Sequence, residues 1–147
     1  MLSKFQKDLT QGKKYEKIAL NYLEYDTVQH KEGNFKEYDF IISKTIDNNL
    51  IEHKIEVKSD RQASSTGNLA IEYECNNKPS GISSSEADFW IYFIVFPDRD
   101  ECYKIPTNEL KEIIKPCKKV VGGDRNLSKM YLVSKTKLQQ YLIKLRT

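Results

Sequence analysis

Leu50-Ile51-Glu52-His53-Lys54-Ile55-Glu56-Val57-Lys58-Ser59-Asp60 decides how this chain is read. Polar and less polar residues alternate through it with the period of a β-strand. Residues two apart in a strand share a face. Glu52, Lys54, Glu56 and Lys58 therefore point one way, and His53, Ile55 and Val57 the other. Placed beside a second carboxylate, Glu56-x-Lys58 would hold a divalent cation and an ammonium at one scissile phosphate. Alone, so short a motif recurs by accident and reads first as an exposed strand face with cross-strand ion pairs.

The second carboxylate lies on the N-terminal side. Tyr38-Asp39-Phe40-Ile41-Ile42-Ser43 has the aromatic and β-branched content of a strand. Asp47-Asn48-Asn49 reads as the hairpin turn that joins it to the next. Asp39 has apolar strand neighbours, and a carboxylate there is costly to bury unless it is paired or binds a cation. Seventeen positions separate Asp39 from Glu56, a length that lets one hairpin set the two acids side by side. Clustered carboxylates repel, and a shared proton or a cation relieves them. Oxygen donors without His or Cys beside them point to Mg2+ or Mn2+.

Upstream, Tyr15, Ile18, Ala19, Tyr22 and Leu23 form the apolar stripe of a first helix. Glu16 borders that stripe, an uncommon place for a carboxylate, and by itself reads as a solvated flank paired with Lys13 or Lys17. A strand at 27–30 and a turn at Gly33-Asn34 follow. Downstream, 60–68 reads as a polar loop, and 69–74 as a strand with Glu72 and Glu74 on one face. Residues 76–81 read as loop, and Ser83-x-x-Glu86 as a capping box opening a short helical turn. The most apolar run, 88–96, predicts a central strand buried on both faces. Residues 101–105 pair back on it after a turn at Asp98-Arg99-Asp100. Thr107 or Asn108 caps a short helix over 109–114. A last strand at 129–133 precedes a helix capped by Ser134 and carrying Leu138, Tyr141, Leu142 and Leu145. With no repeat and no linker, the pattern predicts one α/β domain spanning 1–147.

The 147 residues suffice for a real core. Charged residues make up 31%, and no run approaches the roughly 18 apolar residues of a membrane span. The charged N-terminus lacks the apolar segment of a signal peptide. An intracellular, cytoplasmic protein without a membrane partner is expected. Three cysteines without Cys-x-x-Cys spacing argue against a disulfide framework and against zinc. Residues 111–147 hold ten basic residues against two acids, a formal +8, leaving −5 for the remainder of a chain whose net charge is +3. A basic end beside an acidic site suits a nucleic-acid enzyme; a solubilising lysine-rich surface has the same composition.

In order and context, helix-Glu16, Asp39 and Glu56-x-Lys58 resemble the PD-(D/E)XK nuclease superfamily, and in particular the small archaeal-type Holliday junction resolvases and their phage-encoded relatives. The resemblance covers roughly 15–74, and departs from the motif in having Tyr38 where Pro usually precedes the Asp. It implies a restriction-endonuclease-like core, a central mixed β-sheet flanked by helices, and a metal-dependent DNA endonuclease leaving 5′-phosphate and 3′-hydroxyl ends. Glu16, Asp39, Glu56 and Lys58 would be catalytic, with Mg2+ (or Mn2+) held by Asp39, Glu56 and the Val57 carbonyl. Glu72 or Glu74 is a further candidate for the metal shell. Lys13, Lys14, Lys17, Arg61 and Lys78 are candidate DNA contacts, as is the basic C-terminal third. Branched DNA is the substrate expected, and symmetric cutting of two strands implies a homodimer. A restriction, nicking or exonuclease member of the superfamily, and a non-catalytic nucleic-acid-binding protein, are the competing functions.

Overall fold

The alternating stretches on either side of Asp47-Asn48 open a six-stranded mixed sheet. The structure, a computed structural model, describes residues 2–32 and 37–145; the turn expected at Gly33-Asn34 lies outside them. Helix α1 (Lys4–Ala19) leads through a 3-10 turn at Leu20–Tyr22 to β1 (Thr27–His30), β2 (Phe40–Ile46) and β3 (Asn49–Asp60). Asp47 and Asn48 take φ of 51° and 67°, the left-handed pair that a two-residue hairpin uses and that Asp and Asn tolerate. The register that follows sets Phe40 against Ile55.

A short helical turn, α2 (Ala63–Thr66), precedes β4 (Asn68–Cys75) and β5 (Lys78–Pro79); then come β6 (Phe89–Val95), β7 (Asp100–Pro106) and α3 (Thr107–Ile113). The chain ends in β8 (Lys118–Gly122), β9 (Ser128–Ser134), a 3-10 segment at Lys135–Tyr141 and β10 (Leu142–Ile143). The first sheet has the order β1-β2-β3-β6-β7-β10, and a second, four-stranded sheet the order β5-β4-β9-β8. Among the described strands only β3 and β6 run parallel, and a parallel pair requires a crossover. That crossover carries β4 and β5, which start the second sheet.

Strand β6 is buried on both faces, as its composition predicts. Ile91 and Phe93 pack with Tyr15, Ala19 and Leu23 under α1. Trp90, Tyr92 and Ile94 pack on the opposite face with Leu69, Ile71, Leu110 and Val133. The fold is thus α/β, with a central mixed sheet flanked by helices and, on one side, by the second sheet. No described helix is long and apolar enough to cross a membrane. Cys75, Cys102 and Cys117 are free thiols.

Several local expectations are corrected. The loop over 60–68 contains α2, closed by Gly67 at φ 74°. The loop over 76–81 contains a second left-handed pair, Asn76 and Asn77, which turns β5 back on β4. Ser83 closes a 3-10 turn and opens no helix; the Glu86 N–H instead donates to the Glu37 carbonyl. Neither Thr107 nor Asn108 caps α3, whose N-cap is Pro106. Ser134 does cap, but the segment is 3-10 and stops at Tyr141, because Leu142 and Ile143 extend to pair with Tyr103 and Cys102. Helix α1 begins earlier than its stripe, in a reciprocal box where Ser3 Oγ accepts from the Gln6 N–H and Gln6 Oε1 accepts from the Ser3 N–H.

Tyr15 anchors α1, its hydroxyl donating to Asp100 Oδ1 at 2.9 Å. Burial, then that hydrogen bond and the Asp100 charge, push the Tyr15 phenol up to about 12. A pKa raised on folding contributes stability that is complete below pH 10 and is lost as pH rises toward 12. Chemical denaturation across that range should therefore show Tyr15→Phe losing stability less steeply than the parent chain; equal slopes would contradict the anchor. Ile55 is fully buried while Leu50, on the same strand, is 64% exposed. Ile55→Ala should cost about 2–5 kcal/mol and Leu50→Ala no more than about 0.5 kcal/mol, read as urea midpoints.

Candidate active site

Backbone pairing brings the sequence-predicted residues together. Continued one step beyond Phe40 and Ile55, the β2–β3 register sets Asp39 opposite Glu56, and paired positions share a face. Asp39 is 7% exposed. Its N–H donates to the Ile55 carbonyl at 2.8 Å, and its carbonyl accepts from the Lys31 N–H at 2.9 Å. Its carboxylate Oδ2 accepts from the Val57 N–H at 2.7 Å. Three backbone groups on two strands thus fix the position and aim of this acid.

Glu56 and Lys58 are two apart on β3 and face the same way. Lys58 Nζ lies 3.2 Å from Glu56 Oε1, with the Glu56 side chain 13% exposed and the Lys58 side chain 42% exposed. The ammonium also sits 5.6 Å from the Trp90 ring centroid. Burial acts to lower the Lys58 pKa, but the carboxylates of Glu56, Asp39 and Glu72 outweigh it and hold the group above the ordinary lysine value. Lys58 is therefore a cation at neutral pH.

Glu16 is half-buried on α1. With Lys13, Lys17, Asp39, Glu56, Val57 and Lys58 it lines one open cleft of about 730 Å³. Among the described residues, no group of three or more His, Cys, Asp or Glu side chains is close enough to hold a metal ion. Glu16 thus shares the cleft without completing a three-carboxylate cluster. The donor set that fits a hard cation is Asp39 and Glu56, paired oxygen donors from adjacent strands, with the Val57 carbonyl beside them. Of the two acids on β4, Glu74 pairs with Lys129 at 2.8 Å. Glu72 accepts the Ser80 hydroxyl at 2.9 Å and lies close enough to bear on Lys58.

The remaining candidate contacts disperse. Lys14 and Arg61 line a neighbouring cleft on the other flank of α1. Lys78 is exposed on β5, at the edge of the second sheet. Two residues in the structure have no counterpart in the sequence reading. Lys31 lines the cleft; pairing His30 with Phe40 puts Lys31 across from Asp39, so strand register was its signal. Gln11 donates to Ser59 Oγ at 3.0 Å and accepts from Arg61 Nε at 2.9 Å. Its signal was a polar residue one helical turn before Tyr15, on the face that otherwise packs against the sheet.

The fold is similar to that of a bacterial homing endonuclease, I-Ssp6803I, with a TM-score of 0.51 over 96% of this chain and 89% of that one, at 18% sequence identity. No family model and no curated protein matches the sequence.

Because Asp39 accepts a buried backbone N–H, its two substitutions should separate. Asp39→Asn keeps an acceptor for Val57, whereas Asp39→Ala strands that donor at a cost of about 1–3 kcal/mol. Thermal melts should rank the asparagine variant above the alanine variant, and the reverse order would refute the Val57 contact.

Proposed function

We propose that this chain is a metal-dependent DNA endonuclease that hydrolyses phosphodiester bonds. The observation that carries the proposal is the meeting of Asp39, Glu56 and Lys58 from two adjacent strands in one cleft, with Glu16 on the helix beside them. Two oxygen-donor carboxylates next to a retained ammonium suit a phosphodiester better than a neutral substrate. The nuclease fold of the structural neighbour supports the same substrate class, as does the motif order of the PD-(D/E)XK superfamily.

In this reading Asp39, Glu56 and the Val57 carbonyl hold Mg2+ or Mn2+. Such an ion supplies Lewis-acid polarisation of the phosphate and a lowered pKa for a bound water. Lys58 keeps its proton and donates it in hydrogen bonds to the phosphate oxygens, where negative charge grows in the transition state. The Lys58–Glu56 ion pair fixes the ammonium against the strand and limits its reach to the phosphate that the carboxylates address. Glu16 orients water from the α1 side. Lys13 and Lys17 neutralise phosphates at the mouth of the cleft. Water adds to phosphorus as the bond to the 3′-oxygen breaks; the water gives up one proton to solvent and the leaving 3′-oxygen takes one up from solvent, so that the products are a 5′-phosphate and a 3′-hydroxyl.

Cutting of branched DNA by a homodimer, as in junction resolvases, is the finer proposal. A second reading, cutting of plain duplex, draws on the structural neighbour being a homing endonuclease. A panel of junction, flap, nicked, single-stranded and duplex substrates with Mg2+ decides between them. Preference for the junction together with dimeric mass in solution favours the first; equal or better cutting of linear duplex favours the second.

Asp39→Asn, Glu56→Gln and Lys58→Met should each lower cleavage by about 10²-fold or more while DNA binding persists. Chelation of divalent ions should abolish turnover. Undiminished cleavage by both the Asp39 and the Lys58 variants would end the proposal.

A further inference from the structure

We propose that the cleft on the other flank of α1 is a second phosphate subsite, in which Arg61, held by Gln11, grips the backbone of the bound DNA beyond the point of cutting. The proposal rests on the nuclease reading above and adds where the substrate strand is anchored.

The cleft encloses about 580 Å³ and is lined by Lys14, Arg61, Ser64, Phe96, Arg99 and Asp100 among others. Smaller hollows along α1 share lining residues with it and with the candidate active site. One of these shares Val57 and Lys58 with the catalytic cleft and adds Gln11 and Ser59; another joins Gln11 to Lys14 and Arg61. The two clefts and the hollows between them thus lie side by side along α1. Arg61 comes three residues after Lys58, about 10 Å along an extended chain.

Two of the three cations lining this cleft, Lys14 and Arg61, are not consumed by acids among the described residues. Arg61 spends Nε on Gln11. Among the described residues its Nη1 and Nη2 make no hydrogen bond, and Lys14 Nζ has no ion-pair partner. Asp100, the carboxylate of the cleft, is engaged by the Tyr15 hydroxyl. At the far end the Arg99 guanidinium lies 4.0 Å from the Phe96 ring centroid and is balanced by Asp98 and Glu101. Arg61 and Lys14 are therefore the groups left to meet an anion.

The Gln11 link gives this arrangement its geometry. With Nε tied back toward α1, the two Nη groups form a forward-facing fork, the shape that accepts a phosphate through two parallel hydrogen bonds. Gln11 also holds Ser59, the residue after Lys58, at 3.0 Å. One side chain thereby ties the anchor to the strand that carries Glu56 and Lys58. Gln11 is a positioning residue, and Arg61 the group that touches the substrate.

The test is DNA affinity as a function of salt, measured in EDTA so that no strand is cut, with cleavage assayed separately in Mg2+. Arg61→Ala should weaken binding about fivefold at 0.15 M salt and lower the log–log salt slope by about 0.9, the release of one phosphate counterion. Gln11→Ala, which keeps every charge, should weaken binding while leaving the slope unchanged. Replacing one backbone phosphate near the cut by a neutral methylphosphonate should weaken the parent protein and have no further effect on Arg61→Ala. If Arg61→Ala does not fold, Lys14→Ala on the exposed face of α1 reads the same loss of slope. An unchanged affinity and slope in a chain that still binds and cuts DNA overturns the subsite alone. Failure of the parent chain to bind DNA at any salt overturns the subsite and the nuclease reading together.

Discussion

One hydrogen bond sets the geometry on which the site depends: the Val57 N–H donates to the Asp39 carboxylate at 2.7 Å. It ties an acid at the start of β2 to the backbone between Glu56 and Lys58. With the adjoining main-chain bonds from Asp39 to Ile55 and from Lys31 to Asp39, it leaves little freedom in where the acid points. Side chains on two adjacent strands are thereby placed without help from long flexible segments. A one-residue slip of β3 would turn Glu56 and Lys58 to the α1 face and bring Ile55 and Val57 into their place. The Asp47-Asn48 turn fixes the register, and burial of Phe40 and Ile55 on the helix side enforces it.

The electrostatics of the cleft follow from that placement. Glu56, Asp39 and Glu72 surround Lys58 and keep it protonated despite its partial burial. The linear separation of charge, +8 at the C-terminal end against −5 elsewhere, does not survive folding intact. Lys129 pairs with Glu74 and Lys135 with Glu101, so basic residues of the last third meet acids from the middle of the chain. Cations on α1 and after β3 instead face the clefts. Two of the ten basic residues of the last third are thus taken up by acids from the middle of the chain.

Much of the core sheet was legible in the sequence because its signals are local. Alternation in β3, the two left-handed turn residues and the spacing from Asp39 to Glu56 are contained in one hairpin. The apolar run at β6 declared its burial on both faces, and Tyr15, Ile18 and Ala19 of the apolar stripe declared the end of α1; Tyr22 falls instead in the 3-10 turn beyond it and Leu23 is extended. The second sheet was less legible, because β4 and β9 are distant in sequence and β5 is only two residues long. Leu138 and Leu142 have helical spacing, yet β10 pairing claims Leu142 and Ile143; tertiary hydrogen bonds override the periodicity. Lys31 and Gln11 carried no motif. Each gains its place from a partner brought close by folding, Asp39 for the one and Ser59 with Arg61 for the other.

The central claim is that Asp39 and Glu56 jointly hold one divalent cation. Anomalous diffraction from crystals grown with Mn2+ tests it most directly. The account predicts one strong peak about 2.0–2.2 Å from a carboxylate oxygen of each residue, with further ligands from water and the Val57 carbonyl. Absence of a peak there at saturating Mn2+, or a peak that touches neither carboxylate, would contradict it.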